Sequence, residues 1–338
     1  MKTNPERVLL GHGGGGKLTH QLIENLFRKK FSNPLLNQQH DGARLNWDAQ
    51  NLVMTTDSYV VSPLFFPGGD IGTLAVNGTV NDLAMCGARP RYLSLGLILE
   101  EGVEMKTLER VVDSIQKTAA QSKVEIITGD TKVVEKGKAD GLYLNTTGIG
   151  EPISPMLIAP AAIAPGDLIV LSGDIGRHGI AVMAQRDGID FETTLESDCA
   201  PLWPPIEALL QQKIALHCLR DLTRGGLATA LVELAQTSGW GFEIKEEAIP
   251  VEEEVRGACE ILGLDPLYVA NEGRFVALIP EALATQALAT LHSFTTTAKA
   301  SIIGQVSSKK TGQVAATNLF GANRLIDMLS GEQLPRIC

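Results

Sequence analysis

Residues 151–167 constrain the fold of this chain more than any other stretch, because Pro152, Pro155, Pro160 and Pro165 stand there among Ala, Ile, Leu and Met. Each proline fixes its own φ, lacks an N–H donor and disfavours a helical conformation in the residue before it. No continuous helix survives four of them, so the chain reads as two halves joined by an extended connection. A length of 338 residues agrees, since ordinary domains run to about 100–200 residues. The division predicted is 1–155, 156–329 and a short polar tail, 330–338.

Each half mixes strand and helix patterns. Upstream, Asn51–Thr55 reads as a strand running into Thr56-Asp57-Ser58. Tyr92–Leu99 places Leu93, Leu95, Leu97 and Leu99 on one face of a half-buried strand. Met105, Leu108, Val112, Ile115 and Ala119 step by three and four, as an amphipathic helix requires. Val124–Thr128 is a short buried strand ending at Gly129-Asp130, and Leu142–Ile149 is another. Downstream, Leu168–Leu171, Arg274–Ile279 and Ala300–Val306 read as strands. One helix starts after Gly225-Gly226, and a second runs from Glu281 to about His292. Strands often follow strands directly, which predicts an α+β chain, two mixed α/β domains with antiparallel pairing rather than a doubly wound parallel sheet.

The net charge of −10 speaks against a nucleic-acid partner and against docking on an anionic membrane. A phosphate site must therefore be local. Met1 to Arg7 lacks the apolar run of a secretion signal, and no membrane-spanning stretch is expected. The five cysteines are scattered, odd in number and without a Cys-x-x-Cys pair, which suits a reducing cytoplasm better than a disulfide framework or a zinc site.

Four features carry chemistry. Gly11-His12-Gly13-Gly14-Gly15-Gly16-Lys17 precedes a helical pattern, Leu18 to Lys29, and consecutive glycines let backbone N–H groups approach a phosphate. A P-loop is the weaker reading, because Leu18 stands where a Ser or Thr hydroxyl should meet Mg²⁺; a loop without a ligand stays open. Asp57 and Asp130 are placed at strand ends, and Asp82 within a helical stretch opened by Asp70. Singly they are caps or turn residues; as a set they are hard oxygen ligands for Mg²⁺. Lys132 follows Asp130 closely enough to reach a transferring phosphoryl group, or is a solvated surface lysine. In the second half, Asp221-Leu222-Thr223-Arg224-Gly225-Gly226 leads to a helix N-terminus, a natural anion position, and Ser172–Gly179 is a second glycine-rich turn. Glu272, in Asn271-Glu272-Gly273, stands at an element end, where a base is easily presented, or is a plain exposed glutamate. Finally, the chain ends in Cys338. A thiol at a polar terminus is a poor structural choice, since cysteine is usually buried and exposed thiols oxidise; it reads as a tethered nucleophile or as an accidental terminal residue.

Taken in order, Gly11-His12-Gly13, Thr55-Thr56-Asp57-Ser58, Asn81-Asp82-Leu83-Ala84-Met85, Thr128-Gly129-Asp130-Thr131-Lys132, Arg220 to Gly226, Asn271-Glu272-Gly273 and Pro335-Arg336-Ile337-Cys338 resemble the HypE family of hydrogenase maturation factors over essentially the whole chain. The first four motifs are shared with the wider ATP-binding superfamily of aminoimidazole ribonucleotide synthetase, selenophosphate synthetase and thiamine-monophosphate kinase. The terminal Pro-Arg-Ile-Cys singles out HypE. Four glycines in a row, where the family often has a Ser or Ala, and Cys86 before Gly87-Ala88 are departures read as neutral.

The resemblance implies an aminoimidazole ribonucleotide synthetase-like fold. Its N-terminal ATP-binding domain would dimerise through its sheet, followed by a C-terminal α/β domain and a flexible tail. It implies a carbamoyl dehydratase, a carbon–oxygen lyase coupled to ATP hydrolysis. That enzyme would accept a carbamoyl group on Cys338 from the carbamoyltransferase HypF and dehydrate the S-carboxamide to a thiocyanate. Cyanide would then pass to iron on the HypC–HypD scaffold, for nickel–iron hydrogenases. The nucleotide would be held by Gly13, Gly14, Gly15, Gly16, Thr56, Asp57, Asn81, Asp82, Asp130 and Lys132, and Mg²⁺ by Asp57, Asp82 and Asp130. Cys338 would carry the group, with Glu272 and nearby Lys132 as candidate bases. The protein would work as a cytoplasmic homodimer. Two alternatives remain on sequence grounds: another ATP-dependent kinase or ligase of the superfamily, and a non-catalytic iron-cyanide chaperone with Cys338 as a ligand.

Overall fold

The computed structural model describes residues 7–9, 22–33, 52–154, 156–187 and 195–328. The glycines Gly13 to Gly16 and the terminal Cys338 lie outside the described residues. After a short helix α1 (Arg28–Phe31), the first half builds a four-stranded sheet. Its strands are β1 (Val53–Tyr59), β4 (Ala88–Glu100), β5 (Glu125–Val134) and β6 (Leu142–Pro152), in the order β1-β6-β4-β5. A two-residue ribbon, β2 (Phe65–Phe66) with β3 (Gly69–Asp70), stands apart from it. Pairing is antiparallel except between β4 and β5.

One face of this sheet is covered by α2 (Ile71–Met85) and α3 (Met105–Gln121). Leu93, Leu95, Leu97 and Leu99 point under the helices and are at most 4% exposed, as their period of two requires. Leu108, Val112 and Ile115 answer them from α3 with no exposed surface. α2 is buried nearly all round, so its polar residues Asn77, Thr79 and Asn81 lie inside the protein. Its N-terminus is capped by Asp70, whose Oδ1 accepts the Thr73 N–H at 2.9 Å. Among the described residues no helix covers the opposite sheet face, where Met54 is 64% and Ile98 43% exposed.

The second half is a seven-stranded sheet of β7 (Asp167–Leu171), β8 (Cys218–Asp221), β9 (Phe242–Lys245), β10 (Phe275–Pro280), β11 (Ser301–Val306), β12 (Val314–Thr317) and β13 (Asn323–Ile326). The order is β13-β12-β9-β11-β7-β10-β8, antiparallel apart from β12 beside β9. The helices are α4 (Arg177–Asp187), α5 (Trp203–Gln211), α6 (Gly226–Ser238), α7 (Glu253–Leu262) and α8 (Glu281–Leu291). Side chains alternate between two cores: Ile169, Leu171, Val276 and Leu278 meet α6, while Val170, Phe275, Ala277 and Ile279 join a core continuous with that of the first half. The proline-rich connection interrupts the chain but not the apolar packing.

The α+β reading with antiparallel pairing matches this architecture. Two predicted strand ends do not. The strand expected to stop at Thr128 runs on to Val134, and the one expected to stop before Asp57 runs on to Tyr59. The glycine that suggested a turn, Gly129, instead marks a close crossing: a Cβ there would fall 2.3 Å from the Leu95 carbonyl oxygen.

Candidate active site at the seam between the halves

The acidic residues of the two halves meet where α2 and β1 face β8 and the loop before β10. Thr55 and Asp57 point to the helix side of β1, and the Thr55 hydroxyl donates to Asp82 Oδ2 at 2.8 Å. From the second half come Asp221, whose side chain is 12% exposed at the end of β8, and Glu272, 5% exposed in the loop before β10. These groups feel each other. Burial first, then Asp82 and Asp57, push the Asp221 carboxyl up to about 7, with Arg220 opposing. Burial likewise raises Asp82, helped by Asp57 and opposed by Thr55 and Arg220. Glu272 is pushed well above the usual carboxylate range, by burial and then by Asp221, Asp198, Asp57 and Asp82. Several buried acids with Arg220 as the cation among the named influences make a site short of positive charge, which favours a cationic or phosphate-bound metal guest.

Asn81 ties the halves together. Its Nδ2 donates to the carbonyls of Ala200 (3.1 Å) and Glu272 (3.2 Å), and its Oδ1 accepts the Leu202 N–H at 2.8 Å. The side chain of this predicted nucleotide ligand is thus occupied as a strut. Thr56 lies on the open sheet face, where its hydroxyl donates to the Thr146 carbonyl at 3.1 Å and accepts from Thr147 at 3.0 Å.

Asp130 and Lys132 are not part of this cluster within one chain. They pair with Gly96 and Ile98 across β4 and so share the open face, where their side chains are 72% and 65% exposed and form an ion pair of 3.4 Å. Asp57 and Asp130 stand on opposite faces of the sheet and on its two outermost strands, three strand spacings or about 14 Å apart. The set Asp57, Asp82 and Asp130 therefore does not converge in one chain, nor does Lys132 stand near Glu272. The physical reason is strand parity: extending β1 and β5 past the expected turns puts their acids on alternate faces. Among the described residues no three His, Cys, Asp or Glu side chains form a ready-made metal cage. Asp57 and Asp82 still fit Mg²⁺ carried by a nucleotide, since that ion takes one or two carboxylates and keeps water and phosphate oxygens for the rest.

Sequence reasoning missed three residues here. Asp221 reads in sequence only as part of an anion-binding turn; Asp198 and Asn77 carry no sequence signal, because their role depends on a contact between the halves. Asn77, 2% exposed on α2, donates to the Cys199 Sγ at 3.5 Å. Asp198 accepts the N–H groups of Glu272 (3.2 Å) and Gly273 (3.1 Å).

The chain and its fold are similar to those of known proteins. A family model described as AIR synthase related protein, N-terminal domain, matches residues 39–151, and one described as AIR synthase related protein, C-terminal domain, matches residues 164–316. The carbamoyl dehydratase HypE of Azotobacter vinelandii is 48% identical over 331 residues, covering 98% of this chain and 97% of its own. This chain belongs to the HypE family of carbamoyl dehydratases. A crystal structure of the hydrogenase maturation protein HypE in complex with ATP superposes with a TM-score of 0.94 at 49% identity, covering 98% of this chain and 99% of that one. The crystal structure of a HypE–HypF complex matches with a TM-score of 0.80 at 42% identity, over 91% of this chain and 99% of that one. The described fold is that of HypE, two mixed α/β parts matching the N- and C-terminal family models.

Proposed function

We propose that this chain dehydrates a carbamoyl group carried on its own Cys338 to a thiocyanate, with ATP hydrolysed to ADP and phosphate, and so supplies cyanide for the iron of nickel–iron hydrogenases. The observation that carries the reading is the buried Glu272, set among Asp57, Asp82 and Asp221 at the seam. An amide becomes a nitrile only when its oxygen becomes a leaving group and its nitrogen loses both protons. The amide oxygen attacks the γ-phosphorus as the bond to ADP breaks, and one nitrogen proton is lost. Phosphate then leaves with the C–O electron pair, while a base takes the second proton and the C≡N bond forms.

Glu272 is that base in our reading. Asp57, Asp82 and Asp221 would face Mg²⁺ on the triphosphate, and Gly13 to Gly16 would cradle the phosphates. When bound, the divalent ion supplies charge that offsets the repulsion among these carboxylates and favours Glu272 as the carboxylate a base must be. From Ser330 the tail 330–338 spans up to roughly 28 Å, so one thiol can visit both a donor and the seam. A short tether holds its cargo at a millimolar-scale effective concentration. Its donor would be HypF, the protein bound to a close relative in a known complex; the product would pass to HypC–HypD.

A homodimer completes the site. Among the described residues the N-terminal sheet is covered on one face only, and its other face exposes Met54 and Ile98 beside Asp130 and Lys132. A second copy stacked on that face would bring the partner subunit's Asp130 and Lys132 toward a nucleotide at the seam. The domain division we adopt is 1–155 for nucleotide binding and dimerisation, 156–329 for the second domain and 330–338 for the carrier.

Mass spectrometry of the C-terminal peptide tests the whole reading. Incubation with the transferase, carbamoyl phosphate and ATP should add a carbamoyl mass to Cys338, and the mass of one water should then disappear. Deleting Cys338 should abolish both changes while ATP binding persists; cyanide production by the truncated protein would refute the carrier role.

A further inference from the structure

Resting on the reading of Glu272 as the base, we infer that Asp198 is its positioning residue: a carboxylate that grips the backbone of the Glu272 turn from a segment wedged between the two halves. Among the described residues the Glu272 carboxyl has no hydrogen-bond partner, so its place is set by its backbone. That backbone is held at its carbonyl by Asn81, at 3.2 Å, and at its N–H groups by Asp198. One carboxylate oxygen accepts the Glu272 N–H at 3.2 Å and the other accepts the Gly273 N–H at 3.1 Å. Bonds of this kind to an ionised acceptor are stronger than neutral ones, and two from one rigid carboxylate fix orientation as well as distance. Asp198 is 4% exposed, and the Arg274 guanidinium, whose closer partner is Asp174 at 2.7 Å, brings its Nε to 3.9 Å from the Asp198 Oδ2.

The segment around Asp198 is itself tied to the first half. The Ser197 N–H donates to the Pro67 carbonyl at 2.9 Å, and the Cys199 Sγ accepts from Asn77 of α2 at 3.5 Å. The Ala200 carbonyl and the Leu202 N–H are both bound by Asn81. The fit against the turn is equally close, because a Cβ on Gly273 would fall 1.9 Å from the Asp198 carbonyl oxygen. Asp198 thus transmits the position of α2, which also carries Asp82, to Glu272. The acid that faces the phosphates and the base that faces the carried amide are thereby held in one frame. A misplacement of about 1 Å costs on the order of 100-fold in rate, so such a frame has kinetic weight.

Replacing Asp198 by Asn keeps the volume but sets an NH₂ against one of the two N–H donors, which loosens the turn. A double-mutant cycle reads the consequence. Full-length protein, carbamoylated beforehand on Cys338, is mixed with saturating Mg·ATP, and single-turnover formation of the thiocyanate is followed by mass. Asp198→Asn should slow this step roughly 10- to 100-fold, with the ATP dissociation constant within about twofold of the parent and carbamoyl acceptance unchanged. In Glu272→Gln, adding Asp198→Asn should slow the step no further, since Asp198 acts through Glu272. Multiplying losses in the double variant, a parental rate in Asp198→Asn, or a weakening of ATP binding equal to the rate loss would each overturn the positioning role while leaving Glu272 as the base. A parental rate in Glu272→Gln would instead overturn the base, and the positioning role with it. Asp198→Ser, which keeps an oxygen acceptor in a smaller volume, runs the same cycle if Asp198→Asn does not accumulate as folded protein.

Discussion

His178 shows how a single buried side chain sets a property of the folded state. It has no exposed surface, packs edge-on against Phe66 with ring centroids 5.4 Å apart, and meets the Ser197 hydroxyl through Nδ1 at 2.9 Å. Burial holds its imidazole down at about 4, against 6.5 for a free side chain, although Asp198 pulls the other way. The unfolded chain therefore binds a proton between those values that the folded chain refuses. Stability contributed here is intact above about pH 6.5 and is lost as pH falls toward 4, by up to roughly 3 kcal/mol. Urea titrations across that range should show a shallower pH dependence in His178→Gln than in the parent. Glu272 teaches a different lesson at this scale. Its identity was readable from Asn-Glu-Gly before a strand, but its burial was not, because the groups that enclose it come from the other half of the chain and from the segment after residue 194.

At the scale of elements, α2 matters most, because it carries Asn77, Asn81 and Asp82 into the seam. Its cap is correspondingly strong: Asp70 accepts from Thr73 through Oδ1 and from the Ser114 hydroxyl through Oδ2. Asp70→Ala should lower the unfolding free energy by about 1–2 kcal/mol, measured by urea denaturation, and leave the Ser114 hydroxyl without its acceptor. Elements with a clear period were legible in sequence: β4 by its alternating leucines, α3 by its three-four spacing. Others were not. β8, β12 and β13 have four residues each, too few to show a period, and α5 opens on Trp203-Pro204-Pro205, where proline reads as a stop although it suits a first helical turn. The misplaced strand ends had one cause. Gly129 and the polar run Thr56-Asp57-Ser58 resemble turns locally, yet they lie within strands whose length is set by their neighbours. That error moved Asp130 and Lys132 from the seam to the open face of the sheet.

For the whole molecule, the proposed homodimer would divide labour between the two faces of the N-terminal sheet. If the partner subunit's Lys132 serves the seam holding Glu272, two inactive variants should rescue each other. Equal amounts of Lys132→Ala and Glu272→Gln, allowed to exchange subunits, should recover about a quarter of parental turnover, since half of the dimers are mixed and each mixed dimer owns one intact site. Turnover that stays at the level of the separate variants would refute a site shared between Lys132 of one subunit and Glu272 of the other.

The apolar core shared by both halves has a consequence for the covalent link between them. Met156 and Leu157 in the proline-rich connection are 50% and 69% exposed, open to a protease, yet most of the core that joins the halves is built from residues outside that link. Ile158 of the link packs into the shared core and the Ala159 N–H donates to the His217 carbonyl, so a single cut at Met156-Leu157 should yield two fragments that migrate as one species in gel filtration and separate only in denaturant. In that sense the backbone between the domains is a delivery route for synthesis and folding, dispensable once the interior has formed.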